Sequence, residues 1–290
     1  MRWTRQLATA AFAVQHQQHP SSSILHKLGS RLSTVYNLVP HTAKGVVDVG
    51  CDHALLSLAL AAGQRHPNLL SVIGIDKAEE PLQMAKQNLR EHLYLRGEAY
   101  PLTARLDLRL GNGLEALRGE DEGEVDTLCM AGIGSGTIVD VLTSMRRHTM
   151  FEHLVLQPFD SRPQFLKDVR DCVRVQGFSI QEERIDFVNG RWFVTIAAST
   201  NATVGEDGSS PNDPSAVLGE ALRCRADEDP QTLQVYGDYL AHHHAWFAAI
   251  SKAQRGHTDV DLPGNQAATF LVAIEQEMAA LEVLTDCKSQ

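Results

Sequence analysis

The sequence predicts an α/β fold with an open, mainly parallel sheet, followed by a smaller helical unit. Three observations predict it. Short apolar runs recur as far as residue 198, helix-forming segments separate most of them, and several runs end in an acid, an asparagine or a glycine. Strands that alternate with helices in this way form a parallel sheet with helices on both faces.

The first hundred residues supply two strands and three helices. Apolar residues from Leu28 to Leu38 repeat at helical spacing, which predicts the first helix. Both strands are short β-branched apolar runs, and Pro81 suits the first turn of the helix that follows the second one. The predicted strands cover residues 45–49 and 69–75, and the predicted helices cover 24–38, 54–62 and 81–93.

The next hundred residues supply five more strands. Three are predicted at 106–110, 126–130 and 153–156, and helices are predicted at 136–143 and 163–176. The last two strands, 178–187 and 191–198, flank Asn189-Gly190. Asn-Gly between apolar runs is a strong signal for a hairpin turn. The series therefore predicts a Rossmann-like sheet that is closed by an antiparallel hairpin.

The C-terminal region differs in composition and in the spacing of its apolar residues. Residues 200–214 are rich in Gly, Ser, Asn and Pro, which predicts a linker between a domain at 24–199 and a unit at 215–290. Within that unit, residues 231–253 and 266–284 carry apolar side chains three and four apart. This spacing predicts an antiparallel, coiled-coil-like α-helical hairpin. The alternative is that both apolar stripes only pack on the first domain.

The N-terminal segment is free of acids. Residues 1–23 contain Arg, Ala, Gln and Ser but no Asp or Glu, which is the composition of an organelle transit segment. We therefore expect a mitochondrial protein, and the alternative is an extension without an address on a cytoplasmic protein. All 36 acidic residues follow Val47, against 21 Lys and Arg, so this part carries a net charge of −15. Such an acidic body needs a local basic patch to contact RNA.

Composition argues against several classes of protein. No apolar run approaches the ~20 residues that cross a bilayer, so we expect no membrane partner. The five cysteines are scattered and form no C-x-x-C pair, which argues against a disulfide framework and a structural zinc site. His242, His243 and His244 are consecutive in a predicted helix and point in different directions, so we expect no metal there.

The end of the first predicted strand is the most informative segment. Asp48 and Gly50 follow an apolar run and precede a helix, at the sheet edge where α/β proteins bind ligands. An acid there repels phosphate, and the G-x-G-x-x-G motif of dinucleotide sites is missing. Both facts favour S-adenosylmethionine, which combines a positive centre with hydroxyl groups. The alternative is that Asp48 caps the turn and Gly50 only closes it.

Three later strand ends reach the same edge of the sheet. Asp76, after the second strand, suits the two hydroxyls of a ribose, although dinucleotide proteins also carry an acid at that point. Asn112 suits the edge of an adenine ring, or alternatively serves the turn between two glycines. The loop from Ala131 to Gly134 follows the fourth strand. Together these segments predict a nucleoside-binding cleft.

Five stretches resemble the bacterial-type tRNA (adenine-22)-N1-methyltransferases, a class I S-adenosylmethionine-dependent family with a C-terminal helical coiled coil. The resemblance runs from about Leu28 to Leu284. The matching stretches are LGSRL (28–32), DVGCDHALL (48–56), LGNGLEAL (110–117), VDTLCMAGIG (125–134) and LVLQP (154–158). The resemblance implies a class I methyltransferase domain, S-adenosylmethionine as cofactor and tRNA as partner.

The resemblance also implies roles for individual residues. Asp52 and His53 lie at the N-terminus of the helix that follows the first strand, where backbone N–H groups favour the cofactor's carboxylate. Asp52 either turns toward the cofactor's amino group or faces the target base, and a pure N-cap role is the alternative. Arg31 either neutralises the cofactor's carboxylate or contacts RNA phosphate, and it is otherwise a solvated helix residue.

The acceptor side departs from the family pattern. The family's Ala-Gly-Met-Gly-Gly is Ala-Gly-Ile-Gly-Ser here, its Gln-Pro-Asn is Gln-Pro-Phe, and the Asp of its third motif is Asn112. We expect Gly132 and Gly134 to admit an adenine ring, Gln157 to bind its edge, and Pro158 and Phe159 to line the substrate edge. Phe159 stacks on the base or is a core or lid residue.

The implied reaction is attack of adenine N1 on the sulfonium methyl, for which an enzyme needs orientation rather than a strong base. Arg146 and Arg147 form one basic spot for RNA, and Arg191 lies at another. Two further functions stay open: a methyltransferase of another RNA or a small molecule, and a catalytically silent RNA-binding protein that retains the fold.

Overall fold

The computed structural model describes residues 21–62, 65–96, 105–145, 151–200, 217–223, 229–254 and 264–288. Seven strands are present: β1 Gly45–Val49, β2 Ser71–Asp76, β3 Leu106–Leu110, β4 Thr127–Ile133, β5 His153–Pro158, β6 Ser179–Val188 and β7 Arg191–Ser199. Within the described residues, eight helices of seven residues or more accompany them: α1 Ser21–Lys27, α2 Gly29–Leu38, α3 Leu55–Ala62, α4 Glu79–Arg96, α5 Ser135–Ser144, α6 Pro163–Val175, α7 Pro230–Gln254 and α8 Gly264–Lys288. In the described part of the chain, no helix is long and apolar enough to cross a membrane.

The strands form one sheet in the order β3-β2-β1-β4-β5-β7-β6. Neighbouring strands from β3 to β5 are parallel, whereas β7 runs antiparallel to both β5 and β6. The strand order reverses between β1 and β4, and this switch point is where open α/β sheets bind ligands. The predicted Rossmann-like sheet with a terminal hairpin is therefore confirmed.

Side chains of the sheet are buried on both faces. Successive residues of β1 enter different cores, since Val46 packs with α1, α2 and α3 while Val47 packs with α5 and α6. All five residues of β1 are buried. Alternation of side chains along a strand produces this division, and it explains why the central strands are apolar throughout.

Two differences from the predicted elements affect α2 and β4, which both border the cavity described below. The single helix predicted over 24–38 is two helices, because Gly29 has a φ of +64° and breaks the helical path after Leu28. The fourth strand continues to Ile133, and its pairing with β5 shifts between Ala131 and Ile133. The extra residue, Gly132, has a φ of +76°, which glycine adopts at no steric cost.

The C-terminal helices α7 and α8 form an antiparallel hairpin. The rings of Phe247 and Phe270 stack between them at a centroid distance of 5.4 Å. At the base of the hairpin, the Tyr239 hydroxyl donates a 2.7 Å hydrogen bond to the Ser161 carbonyl, and the Tyr239 ring meets Trp192 edge-on. The buried residues of the hairpin thus join one core with the sheet. The linker at 200–214 lies almost wholly outside the described residues, as does the segment 1–20.

A buried ion pair lies close to the same junction. Arg170 of α6 donates a 2.8 Å hydrogen bond from Nε to Glu183 of β6, and neither side chain is more than 1% exposed. Arg170 also donates to the carbonyl of Val217, which follows the predicted linker. A buried pair of this kind contributes little net stability, but removing one partner leaves an uncompensated charge. It therefore fixes how the chain leaves the sheet toward the hairpin.

Candidate active site

A cavity of about 470 Å³ opens at the carboxyl ends of the central strands. Its walls come from the β1–α3 turn, the ends of β2 and β4, the turn after β3 and one side of α2. Ten of the fifteen residues predicted for the site line it: Arg31, Asp48, Gly50, Asp52, His53, Asp76, Asn112, Ala131, Gly132 and Gly134. The sheet topology thus brings together the strand ends that the sequence predicted to converge.

The turn from β1 to α3 is held in a strained backbone conformation. Gly50, Asp52 and Ala54 have positive φ values of 75°, 49° and 54°. The backbone N–H of Gly50 donates to the Ile75 carbonyl at 2.8 Å, which fixes the turn against β2. A Cβ at Gly50 would lie 2.7 Å from Cγ2 of Ile133, so only glycine fits where β1 and β4 approach the cavity.

Asp48 forms the floor of the cavity and is almost fully buried, at 2% exposure. Its Oδ2 accepts a 2.5 Å hydrogen bond from the Ser57 hydroxyl of α3. The pKa of Asp48 is raised to about 6, mainly by burial and also by the nearby charge of Asp76, whereas the Ser57 hydrogen bond opposes the shift. A buried carboxylate with one hydroxyl partner is costly in isolation, and a cationic group in the cavity would compensate it.

Asp76 and Asp52 lie together at the rim. Asp76 accepts hydrogen bonds from the backbone N–H groups of Asp52, at 3.0 Å, and Ala78, at 2.9 Å. These bonds orient the Asp76 carboxylate and leave lone pairs for a ligand. The Asp52 carboxylate is exposed, 3.7 Å from the His53 ring. The carbonyl of Ala54, not of Asp52, accepts the first bond of α3, so Asp52 does not occupy the N-cap position.

Asn112 follows β3 and lines the cavity. It precedes the short 3-10 turn Gly113–Ala116, but its side chain makes no capping hydrogen bond to that turn. The amide is exposed and available to the cavity. This geometry favours the ligand-binding interpretation of Asn112 over a role in the turn.

Gln157 differs from the prediction that it binds an adenine edge. The side chain is fully buried and does not line the cavity. Its Oε1 accepts a 2.8 Å hydrogen bond from Arg31 Nη1, and its Nε2 donates a 2.6 Å bond to the Thr195 hydroxyl. Because both ends of the amide are engaged, Gln157 holds Arg31 in place rather than presenting a free group to a ligand.

Arg31 of α2 lines the cavity and contacts several residues around it. Its guanidinium lies 5.4 Å from the centroid of the Phe193 ring and borders Gly132, whose added Cβ would lie 2.9 Å from Arg31 Nη1. Burial lowers the pKa of Arg31, while the charges of Asp186 and Asp52 raise it. Arg31 is therefore a positioned cation at the cavity wall and not a solvated helix residue.

Pro158 and Phe159, two further predicted residues, do not line the cavity. Pro158 is buried at the end of β5 and does not face the cavity, so its predicted substrate contact is not supported by the geometry. Phe159 is 53% exposed just outside, which excludes a core role. Arg146 and Arg147 lie outside the described residues. His243, in the triplet, is buried, and the described residues contain no cluster of metal-ligating side chains.

Four contributing residues were missed in the sequence: Ser57, Asp186, Phe193 and Thr195. Ser57 is an ordinary helix residue until its contact with Asp48 is known. Phe193 and Thr195 are two residues apart in β7, so their side chains lie on the same face of the sheet, the one that meets α2. This alternation could have indicated both residues from the sequence. Asp186 faces the same side and accepts a 3.0 Å bond from Thr34.

The arrangement suits a ligand with a positive group and hydroxyls. Three carboxylates line the cavity, and the glycine-rich turns expose backbone at close range. A dinucleotide pyrophosphate would meet the Asp48 and Asp52 carboxylates instead of a glycine-rich phosphate loop.

Comparison with known proteins identifies the fold and the family. The structure is similar to the B. subtilis tRNA (m1A22) methyltransferase TrmK, with a TM-score of 0.61 and 22% identity over 88% of this chain and 97% of that one. M. capricolum TrmK in complex with S-adenosyl-homocysteine gives a TM-score of 0.67 and 18% identity over 88% and 99%. A Streptococcus pneumoniae protein, Sp1610, in complex with S-adenosyl-L-methionine gives a TM-score of 0.61 and 24% identity over 86% of this chain and 98% of that one. At these identities the likeness shows the fold.

No similar sequence was found among curated proteins. A family model described as "Methyltransferase domain" matches residues 28–196, which include every strand of the sheet except the last residues of β7. That match spans more than half of the chain and contains the whole cavity. The chain therefore belongs to the methyltransferase domain family.

Proposed function

We propose that the protein transfers a methyl group from S-adenosylmethionine to N1 of an adenine in tRNA, at position 22 by resemblance. The observation that carries the proposal is the cavity whose buried acid, Asp48, and rim acid, Asp76, meet over the switch point of a methyltransferase sheet. Its support is the likeness of the fold, over most of its length, to the B. subtilis tRNA (m1A22) methyltransferase TrmK and to M. capricolum TrmK.

The residues present fit this cofactor. The Asp76 carboxylate, oriented by two backbone N–H groups, suits the ribose hydroxyls, and the free Asn112 amide suits the adenine edge. Asp48 and Asp52 supply negative charge for the amino and sulfonium groups. Gly132, next to Arg31, leaves space at the cavity wall because it lacks a Cβ. S-adenosylmethionine supplies an electrophilic methyl group on a positively charged sulfur.

The protein's part in the reaction is orientation. Adenine N1 carries an in-plane lone pair, so no proton has to be removed before it attacks. The residues then have to hold the ring in line with the methyl group and exclude competing orientations. Arg31, fixed by Gln157 and Phe193, is placed to bind the carboxylate of the cofactor or a phosphate of the acceptor at the open side of the cavity.

The direct test uses purified protein, methyl-labelled S-adenosylmethionine and unmodified tRNA transcripts. We expect 1-methyladenosine after digestion and mass spectrometry, and none in a transcript whose adenine 22 is replaced by guanine. Asp76→Ala should abolish transfer and cofactor binding, whereas Asp140→Ala, which removes an exposed acid of α5 that does not line the cavity, should match the parent. Methylation at another position or in another RNA would revise the acceptor. Absence of cofactor binding would refute the proposal.

We further propose a mitochondrial location, which rests on the acid-free composition of residues 1–23. A fluorescent protein fused after the last residue should enter mitochondria with the full chain. It should stay in the cytoplasm when residues 1–23 are removed. Cytoplasmic fluorescence from the full chain would contradict the proposal.

A further inference from the structure

Phe159 is an exposed aromatic ring next to the cavity. It directly follows β5, and its backbone N–H donates a 2.8 Å hydrogen bond to the carbonyl of Ile133, which lines the cavity. The ring is 53% exposed, and the guanidinium of Arg191 lies 5.2 Å from its centroid. Covering an exposed aromatic ring of this size is favourable, because it removes apolar surface from water.

A second arginine–aromatic pair lies beside the first. Arg31, at the cavity wall, lies over Phe193. Arg191 and Phe193 are two residues apart in β7, so their side chains project from the same face of the sheet, about 7 Å apart. We call Arg31, Phe193, Arg191 and Phe159 the stacking strip. It leads from the cavity wall outward, and it alternates cationic and aromatic groups.

The opposite face of the same hairpin differs. Phe187 is as exposed as Phe159, at 59%, but its ring packs on Trp192 at 4.5 Å, and Trp192 meets Tyr239 of α7. That aromatic group serves the junction with the helical hairpin. On the cavity face, Arg191 forms no ion pair with any residue that the structure describes, so its charge is not neutralised within this part of the protein.

We propose that Phe159 and Arg191 bind a nucleotide that neighbours the acceptor adenine in single-stranded RNA. The base stacks on the face of the Phe159 ring that Arg191 leaves open, and the Arg191 guanidinium contacts the adjoining phosphate. Aromatic rings and arginines combine in this way where proteins bind unpaired nucleotides. The inference rests on the proposed function, because it takes the acceptor to be RNA.

Charge and position favour this occupant over a protein segment. The chain carries a net charge of −10, so RNA phosphate can be tolerated only near local cations. The strip provides two cations at the cavity opening, where a nucleotide attached to the acceptor must pass. An adenine extruded into the cavity leaves its neighbour unstacked, and an exposed ring at that point replaces the lost stacking partner.

The test measures RNA binding separately from catalysis. Wild type and variants are titrated, with S-adenosyl-homocysteine present, into a tRNA-derived hairpin that carries 2-aminopurine next to the acceptor adenine. Phe159→Leu should weaken binding by about 10-fold and abolish the fluorescence quenching that stacking produces. Phe159→Trp should retain both. Arg191→Gln should lower the salt dependence of binding by about one phosphate contact.

Phe187→Leu is the matched control, because it removes a similarly exposed ring from the β6–β7 hairpin, on the face opposite to Arg191. It should bind the hairpin as wild type does. Calorimetry with S-adenosyl-homocysteine should give one affinity for all variants, which shows that each variant is folded with an intact cofactor site.

The outcomes separate the inference from the proposed function. If wild type methylates tRNA and Phe159→Leu neither weakens binding nor changes quenching, the inference fails while the function stands. If wild type binds the hairpin in a Phe159-dependent manner without methylating it, the function fails while the inference stands. If wild type neither binds nor methylates RNA, both fail. A Phe187→Leu defect as large as that of Phe159→Leu would also overturn the inference.

Discussion

Arg31 and Gln157 lie 126 positions apart in the sequence, and a 2.8 Å hydrogen bond joins them at the wall of the cavity. Thr195 in turn accepts a 2.6 Å bond from the Gln157 amide. The three side chains link α2, β5 and β7. Arg31 alone reaches the cavity, so the other two act on a ligand only through Arg31.

Thr195→Val should therefore reproduce the effect of Gln157→Leu on activity. Thr195→Val keeps the shape but removes the acceptor, which leaves the buried Gln157 amide with one partner fewer and costs about 1–3 kcal/mol of stability. We expect both variants to lower kcat/KM for methyl transfer roughly tenfold, because a misplaced orienting group costs that much or more. Steady-state kinetics and urea unfolding measure the two effects.

A direct contact between Gln157 and the acceptor base would give a different result. Gln157→Leu would then be far more damaging than Thr195→Val, and the difference would persist after correction for the folded fraction. Arg31→Lys is informative in both cases, since it keeps the charge but loses the planar fork that pairs with an amide or carboxylate.

Gly132→Ala should damage the site, whereas Gly136→Ala, four residues on, should not. Gly132 has a φ of +76°, and a Cβ there would lie 2.9 Å from Arg31 Nη1. We expect a stability loss of about 1 kcal/mol from the backbone and a weaker cofactor affinity from the displaced guanidinium. Gly136, in the first turn of α5, has no atom within 4 Å of an added Cβ, so alanine there should be neutral or stabilising. Thermal unfolding compares the stabilities of the two variants, and calorimetry compares their cofactor affinities.

The central part of the site could be predicted because it depends on local sequence. Asp48, Gly50 and Asp76 end strands, and parallel strands that are wound in the usual way bring their carboxyl ends to one edge. The Asn189-Gly190 turn fixed the terminal hairpin for a similar reason, since its conformation depends on two residues. Strand β1 was predicted with its observed ends, Gly45 and Val49.

The partners of those residues could not be predicted. The bond from Arg31 to Gln157 depends on how α2 lies across the sheet, and no local pattern encodes that placement. The break between α1 and α2 was missed because Gly29 follows a helix-compatible repeat, and a single glycine in a helix costs only about 1 kcal/mol. Gln157 was expected at the adenine edge because it matches the family's Gln-Pro-Asn motif, whereas in the structure its side chain bonds to Arg31 and Thr195.

Asp48→Asn should stabilise the ligand-free protein at neutral pH and weaken its cofactor affinity. The pKa of Asp48 rises from 3.8 to about 6 in the folded protein, so folding favours the protonated form. The stability that this group contributes is complete below about pH 4 and is lost as the pH rises through about 6, which amounts to roughly 3 kcal/mol. Asparagine does not ionise, so it avoids this loss of stability, and its side-chain oxygen can still accept the hydrogen bond from Ser57.

Urea unfolding at several pH values tests whether Asp48→Asn raises the stability of the ligand-free protein. The variant should exceed wild type at pH 7.5, and the difference should shrink toward pH 4. A variant that is less stable than wild type at pH 7.5 would show that the Asp48 carboxylate is compensated without a ligand. Calorimetry with S-adenosyl-homocysteine completes the test, since a buried acid that is retained for a cationic ligand should cost affinity when it is neutralised.

His243 should make the protein sensitive to mild acid. The ring is 3% exposed at the junction between α7 and the sheet, and neither nitrogen has a hydrogen-bond partner among the described residues. The pKa of His243 is lowered from 6.5 to about 3, mainly by burial and also by the charges of His242 and Arg162, whereas Asp160 opposes the shift. Because the unfolded chain takes up the proton first, stability falls by about 1.4 kcal/mol per pH unit below pH 6.5 until the folded pKa is reached.

His243→Leu removes the titrating ring and keeps the site apolar, so its stability should depend less on pH between 6.5 and 4 than that of wild type. Between pH 6.5 and pH 5, wild type should lose roughly 2 kcal/mol more free energy of unfolding than His243→Leu, as measured by urea unfolding. His26→Leu serves as the control, because His26 is exposed on α1 and should leave the wild-type slope unchanged. Equal slopes for wild type and His243→Leu would mean that the folded state accommodates the protonated ring, whose charge Asp160 favours.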